Sequence, residues 1–257
     1  MTFRNMPQRG LGCAVLAAAL LLPLAARADY HMRSPNDIDQ NEWEFETNGS
    51  TTVDRNPAKS HDSSYTVELG YGFNEWWHSE LELDVGRNPG PRQPTQIQGG
   101  TWENTIRLTE PGENWADLGF YAEYSHATQR GQPDDVLFGP LIQKDVGRTT
   151  HTLNLFLEKE IGPGQDIRGL DFNYAWQSRW NVLRQASPAI EIYGDAGSID
   201  HIGALRTQQL MAGPVAVGRF LVGPLGDLKY EIGYLFGATP ATAHGTVRWR
   251  LEWEAHF

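Results

Sequence analysis

The chain ends VRWRLEWEAHF, residues 247–257, and in that stretch every second position is apolar: Val247, Trp249, Leu251, Trp253, Ala255 and Phe257. Arg248, Arg250, Glu252, Glu254 and His256 lie between them. Successive side chains of a strand point to opposite faces, so this is a strand with one apolar and one ionic face. The same period of two recurs near 42–47, 65–73, 77–85, 101–108, 116–125, 136–144, 152–160, 170–180, 189–195, 208–217 and 228–236. In 77–85, for example, Leu81, Leu83 and Val85 oppose His78, Glu80, Glu82 and Asp84. The apolar face of 136–144 is not evident.

Twelve such segments suit a closed barrel, which needs an even number of strands when it crosses a bacterial outer membrane. The connections point the same way. Long polar stretches are expected at 48–64, 86–100, 126–135 and 197–207, with a medium one at 162–169. Short turns are expected at Asn74-Glu75, Glu110-Pro111-Gly112, Gly147-Arg148 and 185–188, and only the tenth connection, 219–227, is longer than this alternation allows. A barrel with both termini in the periplasm sorts its loops in this way, whereas a soluble sandwich has no reason to. The fold class expected is therefore all-β: a single antiparallel up-and-down transmembrane barrel of about 12 strands.

The start of the chain sets the compartment. Residues 1–28 read as a secretory signal peptide, with Arg4 and Arg9 ahead of the apolar run Leu11 to Leu24 and a small-x-small site at Ala26-Arg27-Ala28. The run is shorter than the roughly 20 residues of a spanning helix. Cys13, the only cysteine, falls inside that leader. Residues 29–41 read as a polar periplasmic lead-in and 42–257 as the barrel. The formal charge of −11 becomes −14 once Arg4, Arg9 and Arg27 are removed, which argues against a nucleic-acid partner. A mean hydropathy of −0.48 beside 9 Trp, 9 Tyr and 10 Phe fits strands that carry membrane contact by alternation alone.

In such a barrel the ionic side of each strand faces the lumen, because an Arg turned to mid-membrane costs roughly 2–4 kcal/mol. The lumen-lining candidates are Glu103, Arg107, Glu123, Glu158, Asp171, Arg179, Lys229, Glu231, Arg248, Arg250, Glu252 and Glu254. They describe either a wet, charged pore or a set of salt bridges that closes the lumen. Gly139-Pro140 and Gly213-Pro214 fall inside two strands, where proline removes a ladder hydrogen bond, so bulges or strand ends are expected there.

No catalytic constellation stands out. His78-Ser79 and Ser125-His126 are sequence neighbours and would point to opposite faces of a strand. Asp195, Asp200 and His201 are the one loop grouping able to meet at a barrel rim. The 8 His show no His-x-His or His-x-x-x-His spacing and there are only 4 Met, so no metal or cofactor is expected. No glycine-rich phosphate loop is present, and no enzymatic activity is expected.

Four stretches, ENTIRLTEPGENWADLGFYAEYS at 103–125, LNLFLEKEIG at 153–162, QLMAGPVAVGRF at 209–220 and KYEIGYLFGAT at 229–239, together with the aromatic closing strand, resemble a group of proteobacterial outer-membrane barrels. That group is similar to the broad class of outer-membrane transporters associated with phenol-degradation pathways. The resemblance implies a barrel in the cell outer membrane with solute passage, and no catalytic residues. The end of the chain, Trp249, Leu251, Trp253 and the terminal Phe257, resembles the signal read by the barrel-assembly machinery. The partners expected are therefore outer-membrane lipid, that machinery and a small-molecule solute. Three readings stay open: a porin-like channel or transporter with a charged lumen, a closed barrel acting through its extracellular loops, and an outer-membrane hydrolase.

Overall fold

A computed structural model describes residues 30–163, 165, 169–223 and 226–256. The expected signal peptide and cleavage site, Cys13 and Phe257 lie outside the described residues. Twelve strands follow one another: β1 Glu42–Val53, β2 Ser63–Asn74, β3 Trp77–Arg87, β4 Gln96–Arg107, β5 Asp117–Ala127, β6 Asp134–Val146, β7 Thr149–Ile161, β8 Asp171–Trp180, β9 Ser187–Ser198, β10 Gln209–Leu221, β11 Asp227–Gly237 and β12 Gly245–His256. Each pairs antiparallel with its sequence neighbours, and β1 pairs with β12 from Glu42↔His256 to Val53↔Gly245, closing the barrel. Two short 3-10 turns, Ile199–His201 and Leu205–Thr207, stand beside the strands, and the described residues contain no α-helix.

The period of two becomes two faces. Val67, Leu69, Leu81, Leu83, Ile190 and Ile232 stand exposed on the outside, while their strand neighbours Glu68, Glu191 and Glu231 are buried inside. In β6 the side chains turned inward include the apolar Leu137 and Leu141, and Leu141 packs with Tyr121 and Phe156. That is why the sequence of this strand shows no clean contrast between its sides.

Strands run further than alternation indicates. β1 continues to Val53 and β4 begins at Gln96, so the first and third connections shrink to 54–62 and 88–95. In β1 the pattern fades because the outer position at Gly49 carries no side chain. The rings of Tyr65 and Trp249 cover it instead, 2.6 and 3.1 Å from where a Cβ would sit.

The sorting of loops is weaker than expected. Connections at 75–76 and 147–148 are tight, but the fourth spans 108–116 and equals the first, 54–62, in length. This stretch is organised rather than tight: Gly112 N–H donates to Asp117 Oδ1 at 2.7 Å and Leu118 N–H to Thr109 Oγ1 at 2.8 Å. The tenth connection contracts to 222–226, because β10 and β11 stay paired down to Leu221↔Asp227.

The expected bulges at the Gly-Pro steps are absent. β6 pairs with β7 as Phe138↔Leu157 and again as Leu141↔Asn154 with no change of register, and β10 with β11 as Ala212↔Phe236 and Val215↔Gly233. On the opposite side the ladder is continuous through Pro140 and Pro214. The proline therefore interrupts the ladder on one side only, and the strand passes through. Register shifts occur elsewhere, between Gly72 and Asn74, Asp84 and Val85, and Asp171 and Asn173.

The largest departure concerns residues 30–41. The sequence places them outside as a lead-in, but they run inside the barrel. Met32, Arg33 and Ile38 are buried among inward side chains of the wall. A wall of twelve strands encloses more space than its own side chains fill, and this segment occupies the remainder.

Candidate functional site

The inner segment is held along its length. At its inner end Tyr30 meets Tyr193 edge-on, with centroids 5.4 Å apart. Met32 joins Ala175, Ala189, Tyr193, Met211, Val215 and Leu235 in an apolar cluster. Arg33 is pinned three ways. Its N–H donates to Asn154 Oδ1 at 2.9 Å, its C=O accepts from Asn154 Nδ2 at 2.8 Å, and its guanidinium meets Glu103 at 2.7 Å. The same guanidinium lies 4.2 Å from the centroid of the Tyr121 ring. Asn154 thus satisfies a peptide group that water cannot reach, as a neighbouring strand would.

Nearer the end where β1 begins, Ser34 donates to Gln143 at 2.9 Å and Asn36 to Asp117 at 2.6 Å. Arg107 spreads its donors over the carbonyls of Pro35, Asn36 and Ile38. Lys229 pairs with Asp37 at 2.6 Å. The chain then leaves along the rim, where Gly72 admits it: a Cβ there would lie 1.9 Å from Asp39 O.

Behind the segment lie two ionic clusters. Arg248 bridges Glu191, at 2.5 Å, and Glu231. Arg250 pairs with Glu46 at 2.5 Å and Glu252 at 2.7 Å. Lys229 also contacts Glu252, at 2.8 Å, and Glu254, and Arg219 joins Glu254 to Asp227. Most of these groups are buried, so removing one partner strands the other in a site of low polarity.

The structure places Glu103, Arg107, Glu123, Glu158, Arg179, Lys229, Glu231, Arg248, Arg250, Glu252 and Glu254 on the inner side of the wall. Asp171 stands apart: it is the first residue of β8, exposed at the rim ahead of the register shift at Asn173. Trp249, Leu251 and Trp253 take the outer side, Trp253 stacked on Phe45 at 5.4 Å. The loop grouping does not assemble. Asp195 Oδ1 accepts from Gly197 N–H at 2.7 Å, while Asp200 and His201 are exposed on a 3-10 turn.

Two cavities flank the inner segment and share no lining residue. One, of about 310 Å³, lies towards the 88–95 and 128–133 connections and is lined by Tyr30, Arg33, Glu82, Asp84, Glu123, Asp135, Glu158 and Asp195 among others. The second, of about 420 Å³, lies towards the 181–186 connection and includes Met32, Asp37, Arg179, Arg219, Lys229 and Arg250. The first is rich in carboxylates and the second in cations, so the segment separates two chambers of contrasting charge.

Sequence reasoning missed the segment itself and the inward carboxylates of β1–β3, Glu44, Glu46, Glu68, Glu80 and Glu82. The carboxylates carry the same alternation as the rest. The segment carried a fainter signal, since Met32 and Ile38 sit among polar residues in a stretch too short to bury them alone.

No protein-family model matches the chain, and no curated protein matches it. Among solved structures it is similar to a bacterial polysaccharide outer membrane secretin, at 8% identity and a TM-score of 0.43 over 85% of this chain and 99% of that one. It is also similar to the translocator domain of the autotransporter NalP from Neisseria meningitidis, at 14% identity and a TM-score of 0.48 over 87% of this chain and 91% of that one.

Proposed function

We propose that this protein is an outer-membrane barrel that admits small solutes when its own N-terminal segment yields the lumen. Residence in the membrane rests on the outer face. A closed barrel with exposed Val67, Leu81, Ile190 and Ile232 belongs in lipid rather than water. Aromatic side chains gather near both rims, as interfacial girdles do. Trp43, Tyr71, Phe73 and Trp77 form a chain of ring contacts at one end, and Tyr234 packs on Phe236 at the other. The end that carries the 75–76 and 147–148 turns faces the periplasm in this reading, and the last strand is what the assembly machinery reads.

The observation that carries the gating is the pinned path of residues 30–38 between two separate cavities. The carboxylate-lined chamber favours small cationic solutes, because opposite charge in a confined space raises their local concentration. The resemblance at 103–125, 153–162, 209–220 and 229–239 supports a transport role. No catalytic role is proposed.

Planar-bilayer recording tests this. The refolded mature protein is expected to be closed for most of the record, and deletion of residues 30–41 to give steady, cation-preferring conductance. A barrel lacking 30–41 that folds and stays silent would favour the second reading, a closed barrel acting through its loops. The buried Arg248–Glu191–Glu231 cluster is the observation on that side.

A further inference from the structure

We propose that Glu44, His78 and Glu80 bind a divalent first-row transition ion, best matched by Zn²⁺, on the inner wall of the barrel. The site follows from strand register. Glu44 on β1 pairs with Gly70 on β2, and Gly70 pairs with Glu80 on β3, so two carboxylates flank a position that has no side chain. His78, two residues before Glu80 and on the same face, lays its ring over that gap. A Cβ at Gly70 would lie 2.7 Å from the His78 Nε2 and 2.9 Å from the Glu80 Cγ. The glycine makes the pocket that the imidazole occupies.

The three side chains are close without being bonded. His78 Nε2 lies 3.7 Å from Glu44 Oε2, and Nδ1 lies 3.7 Å from Glu80 Oε2. One ligand atom from each falls within 4.8 Å of the others. Both Glu44 and His78 are 5% exposed, yet among the described residues neither they nor Glu80 make a hydrogen bond. Arg250 approaches Glu44 only to 3.7 Å and is committed to Glu46 and Glu252 at 2.5 and 2.7 Å. Buried polar groups are nearly always satisfied. Here an imidazole and two carboxylates converge on one spot with ion-pair contacts no shorter than 3.7 Å and no hydrogen bond from the protein, and an ion between them supplies the closer partner.

The donor set selects the ion. Ligand atoms about 2.0–2.1 Å from a tetrahedral centre lie roughly 3.3 Å apart. The two 3.7 Å approaches run to opposite nitrogens of the ring, so the three ligand atoms, one from each side chain and within 4.8 Å of one another, draw together when the ion binds. One nitrogen with two carboxylate oxygens suits Zn²⁺ and its neighbours better than Ca²⁺, which prefers oxygen alone, or Cu(I), which prefers sulfur. One ring nitrogen binds the ion, and water takes the fourth position. Glu46 and Glu68, also turned inward, add negative potential around it. Sequence spacing gives no hint of the site, because its ligands come from two strands separated by a third.

Metal titration of the refolded full mature chain, stripped with chelator, tests this independently of conductance. One Zn²⁺ per chain is expected to survive dialysis and to resist millimolar Ca²⁺. Co²⁺ should give the visible absorption of a low-symmetry four- or five-coordinate site. His78→Gln and Glu44→Gln should each weaken binding by at least about tenfold, and Gly70→Ala should do so by displacing the ring while keeping all three ligands. Glu113→Gln, exposed on the 108–116 connection, should bind as the wild type does. Absence of a stoichiometric Zn²⁺ or Co²⁺ complex in folded wild type overturns the proposal, whatever the variants do. So does wild-type affinity in both His78→Gln and Glu44→Gln, which would place the ion among the other carboxylates.

Discussion

Arg33 and Glu103 meet inside the barrel with Nη2 and Oε1 2.7 Å apart, one from the segment ahead of β1 and the other from the inner face of β4. Removing one partner of such a buried pair costs roughly 3–5 kcal/mol, because the other charge is left uncompensated. In Glu103→Gln the cost is relieved most directly if the segment leaves. Glu103→Gln is therefore expected to raise the rate at which protease cuts within 30–41, while the strands stay intact. Cleavage at the wild-type rate would show that Asn154 and Lys229 hold the segment without this pair.

Ile232 is half exposed at the centre of β11, on the outer face. Ile232→Arg places a charge where lipid is deepest and is expected to destabilise the folded barrel by roughly 2–4 kcal/mol. Denaturant titration in vesicles measures this against Ile232→Val, which should differ from wild type by about 1 kcal/mol. Equal costs for the two would mean that this position does not face lipid.

The closing strand separates two effects. Trp253→Asp is expected to lower membrane insertion, since Trp253 packs outside against Phe45. From the sequence, Glu254→Gln reads as harmless unless the carboxylate is a buried partner. The structure makes it one, joined to both Lys229 and Arg219. Glu254→Gln is thus expected to insert but to unfold more easily, by about 1–3 kcal/mol. Wild-type stability for Glu254→Gln would mean that Asp37 and Glu252 suffice for Lys229.

Gly213 brings β10 against β11 so closely that a Cβ would lie 2.0 Å from Tyr234 O. Gly213→Ala forces the two backbones apart beside Pro214 and should cost about 1–3 kcal/mol. A thermal-unfolding midpoint unchanged from wild type would show that the ladder gap beside Pro214 absorbs the methyl group.

Asp54 ties two loops across the β1–β12 seam. It accepts from Asn56 N–H at 2.7 Å and from His244 N–H at 2.9 Å, and these bonds, that from Asn56 foremost, hold its carboxyl down at about 2. A depressed folded value means that the contribution is complete above the unfolded value of roughly 3.9 and fades as pH falls through about 2. Asp54→Asn should therefore increase proteolytic nicking of 54–62 by the same factor at pH 5 and pH 7. Its difference from wild type should narrow below about pH 4. A gap that already closes between pH 7 and pH 5 would show that the ionised Asp54 carboxylate does not hold the seam through these bonds.

The strand count and the side of the wall taken by most charged residues were legible because alternation is a local property. Trp253 and Glu254 declare opposite faces without reference to anything else in the chain. Loop lengths were less legible, since Gly49 is covered by rings from β2 and β12 and carries no apolar mark of its own. What fills the lumen was not legible at all. Arg33 reads as an ordinary basic residue of a polar stretch until Glu103, Asn154 and Tyr121 surround it, and those come from three different strands. The ligand triad fails for the same reason: Glu44 and Glu80 become neighbours only through the register of β2.

The segment that fills the lumen continues directly into β1, and β1 is one side of the seam that β12 completes. The wall therefore cannot be finished first and furnished afterwards without threading a charged, side-chain-laden strand of peptide through a closed ring. It is simpler for the sheet to curl around residues 30–41 while the two edges are still apart, with Arg33 and Asp37 already seated on β4 and β11. The segment then acts as a mandrel. It supplies the counter-charges against which the inward glutamates and lysine are laid down, and it sets the girth at which β1 and β12 can meet. A chain lacking it should close more slowly even if the ring it finally makes is sound.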